Sequence, residues 1–240
     1  MDEKILKEKE RIWWGKNTDE ESELLKPNRN AWEHYRWKKI MDRITTHYDF
    51  REKKVFVGCC GTGIFEESIY RYEPHVIESV GLDLTPKFIN LAMIRNTGNP
   101  RAKFVVGDLE ITNLENRSFD VAVVIDGLHH VPRPDVALKE MKRIAKGLIL
   151  YEPNAINPIG RYKELKYIKQ DVKESSFYEW RLVGTLKKLG YIEIVVINTG
   201  FVPQFIPRQL MAAAYFVEHI AEHIPILNKM SGSFLIIASC

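Results

Sequence analysis

A doubly wound α/β domain, with a largely parallel sheet covered by helices on both faces, is the fold class this sequence predicts. Three observations carry that expectation. From residue 53 onward, short apolar, β-branched runs alternate with stretches of helical character, the order in which strand–helix–strand units build a parallel sheet. The first run, Lys54-Val55-Phe56-Val57-Gly58, breaks into Cys59-Cys60-Gly61-Thr62-Gly63 before a helical segment at 64–72. A strand, a glycine turn and a helix N-terminus present free backbone N–H groups and a positive dipole end to a ligand. Asp83 closes the next apolar run, where a carboxylate can accept hydrogen bonds from ribose hydroxyls.

Taken in order, residues 1–30 are rich in Lys and Glu, with Trp13-Trp14 as their bulky apolar pair. The pattern leaves open a frayed arm or a cap over a site. Residues 30–47 read as an amphipathic helix with Trp32, Tyr35, Ile40 and Ile44 available for burial. Strands are expected at 55–58, 76–83, 102–107, 119–126, 148–152 and 191–199, with a last one at 232–239. Thr85-Pro86 opens a helix to about residue 95, with N-cap and first-turn chemistry. Further helices are expected at 135–146, at 175–189 ending on Gly190, and at 208–222 before Pro225. Residues 160–172 read as a long basic, aromatic connection. No repeat or low-complexity linker divides the chain. The expected organisation is an extension and capping helix over 1–48, then one domain over 49–240 with substrate-lid insertions at about 155–174 and 201–230.

Composition narrows the class. The 240 residues carry 45% hydrophobic and 28% charged residues, ordinary for a globular chain with a sizeable core. A net charge of +3 is too mild to argue for nucleic acid as a partner. No apolar run is long enough to span a bilayer, and the acidic, Lys-rich start lacks the pattern of a secretory signal. Three cysteines, two of them adjacent in the glycine turn, make neither a disulfide framework nor a metal site. A soluble, cytoplasmic protein is expected, monomer or homodimer.

In an open α/β sheet the ligand sits at the carboxyl ends of the strands. Those ends carry Gly58 to Gly63, Asp83-Leu84, Asp108-Leu109, Asp126-Gly127-Leu128-His129-His130 and Glu152-Pro153-Asn154. Asp108 could accept from an adenine amino group, and Leu84 and Leu109 could flank the base. Glu66 stands where a dinucleotide fingerprint has its third glycine, and Glu67 adds a second carboxylate. Two carboxylates suit a pyrophosphate poorly and leave a sulfonium compound unaffected, which favours S-adenosylmethionine over a nicotinamide dinucleotide.

The run from about residue 55 to 154 resembles the class I S-adenosylmethionine-dependent methyltransferases. It is similar in particular to the small-molecule branch of the ubiquinone and menaquinone biosynthesis enzymes (type 11). The resemblance rests on Cys60-Gly61-Thr62-Gly63, Gly81-Leu82-Asp83-Leu84-Thr85, Gly107-Asp108-Leu109-Glu110, Ser118-Phe119-Asp120, Leu128-His129-His130-Val131-Pro132 and Glu152-Pro153-Asn154. It implies a Rossmann-like, seven-stranded sheet whose last strand is antiparallel, and S-adenosylmethionine as cofactor with S-adenosylhomocysteine as product. The cofactor would lie against Gly58, Cys59, Cys60, Gly61, Thr62, Gly63, Asp83, Leu84, Asp108, Leu109, Asp126 and Gly127. Two positions depart from the family pattern: Val57 replaces an acidic residue before the turn, and Cys59 replaces its first glycine. Support for the methionine end could come from Tyr35 or from Arg36, whose fork pairs with carboxylates.

Methyl transfer from a sulfonium is an in-line displacement, in which the protein supplies alignment, exclusion of water and, for a hydroxyl acceptor, a base. His129 and His130 are the residues placed for that role. An amino-methylating motif is absent, since the site after the fourth strand reads Asp126-Gly127-Leu128-His129. No cysteine lies where cytosine C5 chemistry needs one. The expected activity is O- or C-methylation of a small, lipid-like or glycosylated acceptor, without metal or nucleic acid. A non-catalytic cofactor-binding regulator and an RNA methyltransferase are the alternatives. Asn154, Phe205, Met211 and Tyr215 are the expected acceptor-pocket residues. Within 209–224, Leu210, Ala213, Ala214, Val217, Ile220, Ala221 and Ile224 form one helical stripe suited to burial.

Overall fold

The computed structural model describes residues 3–25, 30–168, 176–202 and 206–240. Its strands are β1 (Lys54–Gly58), β2 (Glu78–Asp83), β3 (Ala102–Val106), β4 (Phe119–Ile125), β5 (Ala145–Pro153), β6 (Glu193–Thr199) and β7 (Ser233–Ser239). They form one sheet in the order β3-β2-β1-β4-β5-β7-β6. All neighbours are parallel except that β7 runs antiparallel to both β5 and β6. The helices are α1 (Glu3–Asn17), α2 (Glu20–Leu25), α3 (Ala31–His47), α4 (Ile64–Tyr72), α5 (Pro86–Arg95), α6 (Pro134–Ile144), α7 (Pro158–Ile168), α8 (Glu179–Lys188), α9 (Met211–His223) and α10 (Pro225–Asn228). This is the expected seven-stranded architecture. The chain leaves β1 toward β2 on one side and returns through β4 on the other, so a crevice opens beyond their carboxyl ends.

Side-chain alternation along β1 explains the two-faced core. Val55 and Val57 join Phe65, Ile69, Ile89 and Val121 on one face. Phe56 joins Leu82, Val124, Leu138 and Leu148 on the other. Both faces of β4 are filled, which is why its sequence is an unbroken apolar run. Gly63 caps α4 at φ +70°, and an added Cβ there would come within 2.7 Å of Asn96 Nδ2. Asn30 caps α3 by accepting from Glu33 N at 2.9 Å.

Three local expectations give way. Residues 158–168 form α7 where a connection was read; polar and apolar residues spread evenly round this helix, so no periodic signal marks it. Residues 169–174 of the same proposed lid lie outside the described residues, as does residue 175, where the next helix was expected to start; that helix, α8, begins at Glu179. The third correction concerns α9. Val217, Ile220 and Ile224 face solvent, Ala213 and Leu210 are exposed, and of the expected stripe Ala221 alone is buried. The inward line is Met211, Tyr215, Glu218 and Glu222, spaced at the helical period. Cations of α3 hold it there: Lys39 Nζ lies 3.0 Å from Glu218 and 2.6 Å from Glu222, and Arg43 lies 2.9 Å from Glu222. Phe201 N donates to Glu218 at 2.7 Å. Buried carboxylates with partners decide this helix's rotation, and its own apolar stripe does not.

One buried group stands apart. Both oxygens of Glu66 lack a hydrogen-bond partner within the core beneath the glycine turn, and burial pushes its carboxyl up to about 8. The folded state keeps a proton that the unfolded chain releases near its ordinary value of 4.5. Its stability is therefore full below that value and falls as pH rises toward about 8. Glu66→Gln is expected to gain on the order of 1–3 kcal/mol over the parent at pH 8 relative to pH 5. Urea denaturation at the two pH values measures it; an equal difference at both would contradict the assignment.

Candidate active site

Two cavities meet beyond the carboxyl ends of β1 and β4. The smaller, about 270 Å³, is bordered by Cys59, Cys60, Gly61 and Thr62 of the turn, by Asp83 and Leu84 after β2, by Asp108 and Leu109, and by Asp126 and Gly127 after β4. Ten of the fourteen residues expected to hold the cofactor thus line one cavity. Of the others, Gly58 and Gly63 stand behind the turn, and Tyr35 and Arg36 border the larger cavity, about 560 Å³.

Asp83 is buried at the strand end. One carboxylate oxygen accepts from Gly61 N at 3.0 Å and the other from Thr85 N at 2.9 Å, so it fixes the path of the turn while bordering the cavity. Burial raises its carboxyl above the ordinary value, against the lowering pull of those amides. Gly61 sits at φ +54° with open space where a side chain would project. An open glycine cradle, a strand-end carboxylate and the flanking Leu84 and Leu109 fit an adenosyl group. Neither Glu66 nor Glu67 borders the cavity: Glu66 is in the core, and Glu67 pairs with Arg95 at 2.9 Å and Arg71 at 3.0 Å.

The departures from the family pattern have a structural form. Cys59 adopts φ +50° and Asp126 φ +49°, two left-handed non-glycine residues at the ends of β1 and β4. Cys59 thus retains the backbone that a glycine would take at lower cost. Burial pushes the thiols of Cys59 and Cys60 well above their ordinary value, which keeps them protonated and unsuited as nucleophiles. Val57 is buried among apolar side chains and borders the smaller cavity.

Sequence reasoning missed most of the cover. α1 lies over the smaller cavity, with Lys7, Glu10, Arg11 and Trp14 on its border. Lys7 Nζ reaches Asp108 at 2.6 Å and Glu110 at 2.7 Å, so the carboxylate expected to meet adenine is already paired. Positions 7, 10 and 14 fall on one helical face, the signal that was available.

Trp14, Trp37, Ile64, Ile125, Asp126 and His130 border both cavities, so the two join there. The His130 ring lies 4.1 Å from that of His129 and 5.1 Å from that of Trp14, with Glu10 Oε2 3.8 Å from its Nδ1. His129 borders the larger cavity, and its Nδ1 lies 2.7 Å from Glu152 Oε2. Glu152 Oε1 accepts from Gly127 N at 3.1 Å and Leu128 N at 2.8 Å. Burial pushes Glu152 up to about 8 and His129 down to about 4. The pair is therefore neutral as a unit, with a proton in the bond between them.

Arg36 pairs with Asp126 and lies over the rings of Trp32, Trp37 and Tyr151 at 5.5–5.7 Å. The Tyr35 hydroxyl donates to Glu218, and its ring stacks on Tyr215 with centroids 3.9 Å apart. Tyr215 and Met211 face inward but do not border the larger cavity. Asn154 is buried and donates to Lys229 O at 3.0 Å, tying β5 to the approach of β7. Phe205 lies outside the described residues. From the two proposed lid segments, Ile159, Gly160, Glu164, Phe201 and Val202 border the larger cavity.

Comparison with known proteins finds methyltransferases. Residues 56–148 match the family described as Methyltransferase domain. Demethylmenaquinone methyltransferase of Staphylococcus aureus is 26% identical over 148 residues, 57% of this chain and 61% of that protein. The match thus spans less than two thirds of the curated relative. Among solved structures, the complex between the Haloferax volcanii Trm112 methyltransferase activator and a methyltransferase aligns with TM-score 0.66 at 13% identity, covering 96% of each chain. Phosphoethanolamine N-methyltransferase 2 of Haemonchus contortus, in complex with phosphomonomethylethanolamine and S-adenosylhomocysteine, aligns with TM-score 0.64 at 13% identity over 95% of this chain and 60% of that one. The segment 56–148 thus matches the methyltransferase-domain family in sequence, and the sheet around it has the fold shared by these methyltransferase structures.

Proposed function

We propose that the protein transfers the methyl group of S-adenosylmethionine to an oxygen or carbon of a small-molecule acceptor held in the larger cavity. The observation behind this reading is the junction of the two cavities at Asp126 and His130, beside the turn that would hold the cofactor. Bound there, the cofactor supplies an already activated methyl group. The chain's part is alignment, exclusion of water and control of one proton. Asp83 and the glycine turn position the adenosyl end, α1 covers it, and Trp14 and Trp37 wall the junction against water. Asp126 and Arg36 compensate each other's charge beside the junction. His129, neutral and held through Nδ1, is left with Nε2 to orient an acceptor. His130, at the junction itself, is the better-placed base for an acceptor hydroxyl.

The aromatic wall of Trp32, Trp37, Tyr151 and Phe201 suits a flat, apolar acceptor. The relative named demethylmenaquinone methyltransferase supports a quinol-like one. Release of S-adenosylhomocysteine against a panel of quinols, phenols and amines tests the reading, alongside equilibrium binding of S-adenosylmethionine. His130→Ala is expected to lower kcat about 100-fold with little change in cofactor affinity. Cofactor binding without turnover of any acceptor would instead support a regulatory domain. Methylation of RNA with salt-dependent binding would support a nucleic-acid substrate.

A further inference from the structure

The rotation of α9 leaves an apolar face uncovered. Ala213, Phe216, Val217, Ile220 and Ile224 follow the helical period along its outer side, and Ile226 and Leu227 of α10 extend the line. Phe216 is 67% exposed, Val217 62% and Ile226 77%, far more than an isolated surface residue accounts for. This is an ordered face: the ion pairs of Glu218 and Glu222 with Lys39 and Arg43 hold the polar side of α9 inward. Those same pairs take both carboxylates of α9 off the surface. Among the described residues from 206 to 230 the acidic side chains are Glu218 and Glu222, both turned in, while Arg208 and Lys229 are exposed at the two ends of the face.

An apolar stripe bounded by cations and free of exposed carboxylates matches one surface chemically, that of an anionic lipid bilayer. A second copy fits it poorly, because two such faces brought together would place like charges opposite one another without an acid to pair them. We propose that the outer face of α9 and α10 docks the protein on anionic membrane surfaces, with Phe216, Val217, Ile220 and Ile226 entering the interfacial region. Among the described residues no helix is long and apolar enough to cross a membrane, so the attachment is peripheral. The face lies beside the larger cavity, because Glu218 of the same helix borders that cavity from within. The inference stands whether or not the acceptor is lipid-like.

Co-sedimentation of the full chain with vesicles tests it. The protein is expected to pellet with phosphatidylglycerol–phosphatidylcholine vesicles and to remain largely in solution with phosphatidylcholine alone. The double variant Phe216→Asp, Ile220→Asp is expected to lose roughly tenfold in partitioning, with S-adenosylmethionine affinity and melting temperature unchanged. Should that variant fail to fold, Arg208→Glu with Lys229→Glu is the second arm, expected to remove the preference for anionic vesicles. Parent protein that ignores both vesicle types, equal partitioning into both, or a folded variant that pellets like the parent overturns the proposal. So does a dimer in light scattering that the aspartates dissociate while the parent ignores lipid; that result makes the face a self-interface.

Discussion

Asp83→Ala is expected to weaken S-adenosylmethionine binding by about 2–4 kcal/mol, roughly 30- to 1,000-fold in Kd. Two losses combine. The carboxylate stands at the end of β2 on the border of the smaller cavity, where it would accept from the ribose, and it also pins the glycine turn by accepting from Gly61 N at 3.0 Å and Thr85 N at 2.9 Å. Asp83→Asn retains one acceptor oxygen and is expected to fall between parent and alanine. Calorimetric titration of each variant, with far-ultraviolet circular dichroism to show that it folds, gives the comparison. A folded alanine variant with a Kd within about threefold of the parent would remove Asp83 from the cofactor site.

Glu152→Ala is expected to cost about 3–5 kcal/mol of folding stability, because three buried hydrogen-bonding groups lose their partner at about 1–3 kcal/mol each. Its carboxyl, wholly buried, takes the amides of Gly127 and Leu128 on one oxygen and His129 on the other. Removing it leaves two N–H groups and an imidazole without partners in a space water does not reach, and frees the loop that carries both histidines. Glu152→Gln keeps the volume and one acceptor oxygen and is expected to lose less. Urea denaturation of the three proteins settles the order. Equal stability of parent and alanine variant would mean that the loop, and not this carboxyl, holds His129 in place.

The clustering of the residues proposed for the cofactor was legible because the chemistry that places them is local. A buried strand that ends in glycines must turn sharply and start a helix, and an acid at the next strand end falls beside it whatever surrounds the domain. Ten of the residues expected there border one cavity for that reason. The larger cavity was less legible. Trp14, Trp32 and Trp37 reach the larger cavity from helices that precede the sheet, and Lys7 meets Asp108 across about a hundred positions. Nothing in the spacing of Lys7 along α1 names its partner.

The antiparallel last strand was what the family resemblance implied; by itself the sequence determined the order of the strands, the largely parallel sheet, and the turn of Gly61 and Gly63 beside the smaller cavity. Each of these follows from short-range periodicity, backbone freedom and strand-end geometry, which a neighbouring segment cannot reverse. Tertiary structure alone decided that α1 closes the smaller cavity and that α9 turns its carboxylates in and its apolar stripe out. The physical reason is the same in both cases. A charge can be buried only where a distant partner compensates it, so Asp108 and Glu110 draw Lys7 over the cavity while Lys39 and Arg43 draw Glu218 and Glu222 inward. Helical periodicity reports which residues share a face, and the partner across the fold determines which way that face points.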